Sequence, residues 1–198
     1  MSDLSLLTPS LLRRCFHLDT FVETGCYQGD SMALAYGAGF AKVISCDLDW
    51  NRVEACRERF PDAAVLYAES TALLGPLLPH LLPVMGKTLF WLDAHFPGYF
   101  GLAETKQNRF PLAEELRLIR ENKPGYADDV IAFDDLRVIR DPLNPRYRQG
   151  ELQGEESALY VDVSLEALLG PFAATHTAAF IHAQEGAVAL LPKSVTAD

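Results

Sequence analysis

Thr20-Phe21-Val22 runs into Glu23-Thr24-Gly25-Cys26-Tyr27-Gln28-Gly29-Asp30-Ser31, and then into Met32-Ala33-Leu34-Ala35-Tyr36. The order is a short apolar run, a turn with two glycines, and a helix-forming segment. Glycines at a strand-to-helix turn let the backbone approach a ligand closely, and the helix that follows presents unpaired N–H groups. The stretch is not the dinucleotide fingerprint: Tyr27 stands where the middle glycine belongs, and the glycine spacing differs. Taken alone the turn is weak, because glycines also mark turns for purely structural reasons.

Outward from this turn the pattern repeats. Lys42-Val43-Ile44-Ser45-Cys46, Ala64-Val65-Leu66-Tyr67, Thr88-Leu89-Phe90-Trp91-Leu92 and Val130-Ile131-Ala132-Phe133 are almost wholly apolar. Such runs suit parallel strands covered on both faces. Helices are expected between them over 31–36, over 50–60 with Asp49 as N-cap, and from near Pro111, with Leu112, Leu116 and Ile119 on one face. Two further runs, 177–182 and 187–191, joined by Ala183-Gln184-Glu185-Gly186, predict an antiparallel hairpin. The expected fold is α/β: a doubly wound, Rossmann-like, seven-stranded sheet, mostly parallel, with that hairpin at its end. The whole chain, 1–198, reads as one domain with an N-terminal helix within 1–18 that begins near Thr8-Pro9.

Composition agrees. With 198 residues, 49% of them hydrophobic and 22% charged, the chain has enough apolar content for a full core. A net charge of −10 argues against a nucleic-acid binder or a protein of anionic membranes. The segment 1–7 lacks a basic start, and the greasiest run, 71–85, is broken by Pro76, Pro79 and Pro83. A cytoplasmic protein is therefore expected. Cys15, Cys26, Cys46 and Cys56 form no CxxC pair, so reduced thiols are expected rather than a disulfide scaffold or a zinc site.

All five predicted parallel strands end in or beside an acid: Glu23, Asp47, Glu69, Asp93 and Asp134-Asp135. Any one of them could be a solvated carboxylate or a helix cap. Together on one sheet edge they call for a cationic or hydrogen-bonding partner. Asp47 lies about twenty residues beyond the glycine turn, where a carboxylate can accept both hydroxyls of a ribose. Glu69 would then sit near an adenine. No Gly-Lys-Ser/Thr phosphate cradle is present. The ligand expected from these residues contains a nucleoside and carries positive charge.

The order Glu-Thr-Gly-x-x-x-Gly (23–29), Cys-Asp-Leu-Asp (46–49), Ala-Glu-Ser (68–70), Leu-Asp-Ala-His (92–95) and Phe-Asp-Asp (133–135) resembles the class I S-adenosylmethionine-dependent methyltransferases. Within them it is most similar to the macrocin O-methyltransferase-like group. The resemblance covers 21–135 and the hairpin; Tyr27 departs from the glycine of many members. It implies a cofactor site of Glu23, Thr24, Gly25, Tyr27, Gly29, Asp47, Leu48, Glu69, Ser70 and Asp93. Glu23, Gly25 and Gly29 would hold the methionine part, Asp47 the ribose with Leu48 beside the adenine, and Glu69 and Ser70 the adenine edge. Asp93 would lie close to the sulfonium.

Metal-dependent members place one acid after the fourth strand and an acidic pair after the fifth. The resemblance therefore implies a metal site of Asp93, Asp134 and Asp135. Three carboxylates are hard ligands suited to Mg²⁺. His95 is expected as general base, making His95 and Asp93 the catalytic pair. The plain alternatives are that Asp134-Asp135 caps a helix and that His95 bonds a loop backbone. His17, His80, His176 and His182 show no ligand spacing.

Two stretches without periodicity, 95–110 and 136–160, are candidate substrate loops. The first carries Phe96, Tyr99, Phe100 and Phe110 with Gly98 and Gly101, which suits a lid. The second carries Arg137, Arg140, Arg146 and Arg148, which either recognise an anionic acceptor or pair with Glu151, Glu155 and Glu156. The expected activity is Mg²⁺-assisted O-methylation of a hydroxyl on a small acceptor, a saccharide or other natural product. A phenolic acceptor is a variant of this reading. The alternative from another class is an inactive cofactor-binding module that serves as a partner or regulator.

Overall fold

The computed structural model describes residues 3–144, 158–182 and 185–194. The five apolar runs form β1 (Thr20–Thr24), β2 (Lys42–Asp47), β3 (Ala64–Tyr67), β4 (Thr88–Leu92) and β5 (Val130–Phe133). They pair in parallel, β1 with β2 and β4, β2 with β3, and β4 with β5. The C-terminal runs form β6 (His176–Ile181) and β7 (Ala187–Pro192), antiparallel to each other, with β7 antiparallel to β5. The seven strands lie in the order β3-β2-β1-β4-β5-β7-β6. The expected doubly wound sheet with its hairpin is therefore observed; Ala183 and Gln184 in the hairpin turn lie outside the described residues.

β1 and β4 are buried along their whole length, because side chains on both faces meet helices. On one face Val22, Ile44, Phe90 and Ile131 pack against Leu73, Leu116, Ile119 and Phe172. On the other, Phe21, Val43, Leu89 and Trp91 pack against Leu4, Met32, Val53 and Cys56. Full burial of one such side chain contributes about 1.5–3 kcal/mol. Both faces are therefore needed to hold the strand ends in register.

The helices follow their sequence signals. Asp30–Gly37 succeeds the glycine turn. Trp50–Arg59 is capped by Asp49, whose carboxylate accepts the Asn51 N–H at 2.9 Å. Leu112–Asn122 starts after Pro111. The N-terminal helix is split: a 3-10 turn at Asp3–Leu7 precedes a helix at Pro9–Phe16, with Thr8 left-handed at φ 49 between them. Pro9 excludes the helical conformation from the residue before it, which accounts for the break.

The apolar run 71–85 forms an irregular helical path interrupted at Gly75-Pro76, with Leu73, Leu74 and Leu78 fully buried. Among the described residues no helix is long and apolar enough to cross a membrane. Cys26, Cys46 and Cys56 are buried free thiols, and Cys15 is an exposed one.

The two loops carry more local structure than their sequences suggest. In 95–110, a 3-10 turn at Pro97–Phe100 precedes a helix at Lys106–Arg109, which is closed by a capping box between Thr105 and Asn108. In the second loop the Asn144 amide donates to the carbonyls of Leu136 and Ile139, both at 2.6 Å. Arg137 pairs with Glu185 at 2.7 Å, and Arg140 pairs with Asp162. Arg146, Arg148, Glu151, Glu155 and Glu156 lie outside the described residues.

Candidate active site

The strand order reverses beside β1 and β4, and a cleft opens outside the carboxyl ends of a parallel sheet at such a point. A cavity of about 420 Å³ lies there. Gly25, Tyr27, Asp47, Leu48, Glu69, Ser70, Asp93, His95 and Asp135 all line it. Glu23, Thr24, Gly29 and Asp134 do not appear in the lining.

The glycine turn shows why. Gly25 has φ +85, and a Cβ there would stand 2.9 Å from the carbonyl oxygen of Asp93. The glycine lets the end of β1 close against the end of β4. Thr24 reinforces this join, its hydroxyl accepting the Asp93 N–H at 3.2 Å. Gly29 has φ +78, and its Cβ would meet the Phe60 ring at 2.8 Å. Its role is to let the turn pack on the helix Trp50–Arg59. Glu23 is fully buried, accepting from Ser45 at 2.9 Å and from the Ser31 hydroxyl. Burial pushes its carboxyl well above the usual range, with the Ser45 hydrogen bond working the other way. These three residues build the wall behind the cavity.

Asp47 is held from the protein side. It accepts the Tyr27 N–H at 3.0 Å and the Asp49 N–H at 2.9 Å, one on each oxygen. The Cys26 thiol makes a longer, weaker contact to the Oδ2 oxygen at 3.7 Å, so of about four acceptor positions the one left free lies on Oδ1 and the Cys26 position is readily displaced. Across the mouth, the Arg52 guanidinium lies 4.6 Å from the Tyr27 ring and 4.8 Å from the Phe100 ring. It also approaches Asp49 at 3.5 Å and Asp47 at 4.0 Å. This sandwich ties the first loop to the glycine turn.

On the other side of the cleft, ligand atoms of Asp93, His95, Asp134 and Asp135 all lie within 4.8 Å of one another. The chain turns left-handed at Asp135, φ 55, a conformation that aspartate tolerates better than most residues. His95 Nδ1 lies 3.6 Å from Asp135 Oδ2 and 4.0 Å from Asp134 Oδ1. The imidazole stacks on Phe110 at 4.5 Å. Burial, with neighbouring carboxylates adding to it, pushes Asp93 up to about 7 and Asp134 well above the carboxylate range. Burial acts to raise Asp135 too, but His95 and Arg137 hold it below its usual value. For His95 burial favours the neutral ring, yet Asp135, Glu115 and Asp93 together outweigh it and raise its pKa. The cluster holds more acid than its own cations neutralise.

Two residues of this site escape the sequence reading. Arg52 gives no motif. Glu115 is fully buried, and neither oxygen has a hydrogen-bond partner within normal length. Burial raises its pKa against the influence of His95, Ser70 and Thr24. Its signal was an acid inside the apolar stripe Leu112, Leu116, Ile119.

The strand order and the cleft are those of the class I methyltransferase fold. No protein-family model matches the chain, and no curated protein matches it. Solved structures do. An S-adenosylhomocysteine-bound methyltransferase from Podospora anserina, PaMTH1, has TM-score 0.58 and 18% identity over 98% of this chain and 80% of that one. A proposed caffeoyl-CoA O-methyltransferase from Staphylococcus aureus has TM-score 0.61 and 11% identity over 96% and 84%. The O-methyltransferase TomG from Streptomyces achromogenes, solved with S-adenosylmethionine, has TM-score 0.57 and 16% identity over 97% and 81%. At these identities the likeness is one of fold.

Proposed function

We propose that this chain is an S-adenosylmethionine-dependent O-methyltransferase, assisted by a divalent cation, that acts on a hydroxyl of a sugar or another small natural-product acceptor. The motifs 92–95 and 133–135 support a likeness to the macrocin O-methyltransferase-like group. One observation carries the reading: a single cleft is lined by Asp47, held by backbone amides, and by Asp93, His95 and Asp135, with Asp134 clustered just behind those three.

The residues fit the cofactor. Asp47 would take the ribose hydroxyls, Leu48 would lie beside the adenine, and Glu69 and Ser70 would meet its edge. Gly25 and Tyr27 would flank the methionine part, supported from behind by Glu23, Thr24 and Gly29. When bound, S-adenosylmethionine supplies a methyl group on a positively charged sulfur. Asp93, at the end of β4 between the two halves of the cleft, would lie close to that charge.

The residues also fit a cation. Three crowded carboxylates, two of them with raised pKa, lack sufficient counter-charge. Asp93, Asp134 and Asp135 would hold it; Mg²⁺ is one of the hard ions that such carboxylates suit. A divalent cation here supplies the charge that lets a nearby hydroxyl ionise near neutral pH. Phe96, Tyr99 and Phe100 would shield the acceptor from water, with Arg52 fastening the loop. Arg137 lines the cavity, but its charge is shared with Asp135 and Glu185, so an anionic acceptor gains little from it.

Calorimetry with S-adenosylhomocysteine, with and without divalent cation, tests the reading. Cofactor binding, cation binding and chelator-sensitive methyl transfer to a polyol or phenol are expected. Cofactor binding without any cation site would favour the non-catalytic module. No cofactor binding would overturn the assignment.

A further inference from the structure

We propose that His95 is itself a ligand of the cation, through Nδ1, and that this imidazole makes the site one for a first-row transition ion such as Mn²⁺ in preference to Mg²⁺. The inference rests on the cation reading above and deepens it.

Distance is the first argument. At 3.6 and 4.0 Å from two carboxylate oxygens, Nδ1 is too far away for a hydrogen bond. Two donors on one octahedral ion with bonds of about 2.1 Å stand about 3.0 Å apart at a right angle and about 4.2 Å apart across it. The observed spacings fall between those limits.

Burial is the second. The His95 side chain is 2% exposed, and neither ring nitrogen has a hydrogen-bond partner. Buried polar atoms are normally hydrogen-bonded, whereas this nitrogen meets the Asp134 and Asp135 carboxylates only at ion-pair range, the spacing of co-ligands rather than of a donor and its acceptor. The ring is also held in place, stacked on Phe110 and edge-on to Phe96 at 6.2 Å.

The donor set then selects the ion. Mg²⁺ takes oxygen ligands and keeps its waters, while imidazole favours first-row transition ions. A ligating imidazole usually gives its second N–H to a carboxylate outside the coordination sphere. Nε2 makes no such bond here; the buried Glu115, which also faces Ser70 and Thr24, acts on the ring through its charge.

The test uses the whole chain. Calorimetry with Mn²⁺ and Mg²⁺ on the unaltered protein, His95→Gln and Asp134→Asn is combined with pulsed electron paramagnetic resonance of bound Mn²⁺. Mn²⁺ should bind at least about tenfold more tightly than Mg²⁺ and show coupling to a nitrogen nucleus. His95→Gln should abolish the nitrogen coupling and most of the preference while retaining Mg²⁺ binding. The resonance measurement on the unaltered protein needs no variant to fold. Mn²⁺ bound at an Asp134-dependent site without nitrogen coupling would overturn the proposal and spare the cation reading. Absence of Asp134-dependent binding of either ion would overturn both.

Discussion

Asp47 accepts two backbone amides, so its orientation is set by the protein's own backbone. Such preorganisation makes it the residue whose loss should read most directly in affinity. Asp47→Ala should weaken S-adenosylhomocysteine binding by about 1–3 kcal/mol, roughly 5- to 150-fold, in calorimetry. Unchanged affinity would place the ribose elsewhere. Asp134 should behave in the opposite way toward stability. Its carboxyl is buried beside Asp93 and Asp135, and its raised pKa means that the metal-free fold prefers it protonated. Asp134→Asn should therefore abolish cation binding yet raise the melting temperature of the metal-free protein at pH 8. A lower melting temperature at that pH would show that the carboxylate is satisfied by groups other than a cation.

Among the elements, the glycine turn separates contact from support. Gly29 lies away from the cavity, and its positive φ and the Phe60 ring both oppose a side chain. Gly29→Ala should destabilise the protein by about 1–2 kcal/mol, while the folded fraction binds S-adenosylhomocysteine as before. Weaker binding by the folded variant would return Gly29 to the cofactor's contacts. Gly25→Val should do more, lowering the melting temperature as well as abolishing binding, because its Cβ meets the Asp93 carbonyl across the β1–β4 join. These distinctions were hidden in the sequence for a physical reason. The five parallel strands were legible because they are apolar throughout, yet a strand covered on both faces has no alternation to tell which face a side chain takes. Glu23 and Asp47 both read as strand-end acids; one lies behind the wall and the other lines the cavity. The acids after β4 and β5 were legible as a cluster, because neighbouring parallel strand ends lie about 5 Å apart. Glu115 needed the packing of its helix on the sheet to become visible, and Arg52 needed the path of the first loop.

At the scale of the whole molecule, the buried Glu23, Asp134 and Glu115 and the half-buried Asp93 are carboxyls with raised pKa beneath or within one cleft. A carboxyl whose pKa is higher in the folded than in the unfolded state stabilises the fold below about pH 4, and that stability is lost as pH rises through the folded value. For Asp93 the window runs from its usual 3.8 to about 7. The metal-free protein should melt at progressively lower temperature between pH 5 and about 7.5 on this account, and a divalent cation should remove most of the slope. A metal-free melting temperature that is flat or rising over this interval would contradict the raised values.

The seating of β7 between β5 and β6 has a consequence for how the protein is made. The Leu136 N–H donates to the Gly186 carbonyl at 2.9 Å and the Arg137 N–H to the Glu185 carbonyl at 3.0 Å, so the backbone just after Asp135 is pinned by residues some fifty positions later. As the chain leaves the ribosome, the backbone after Asp135 cannot take its final path until the last strand has emerged and slid into the sheet beside β5. A chain released before residue 185 would lack the carbonyls that hold 136 and 137, and with them the support of the acidic pair Asp134-Asp135.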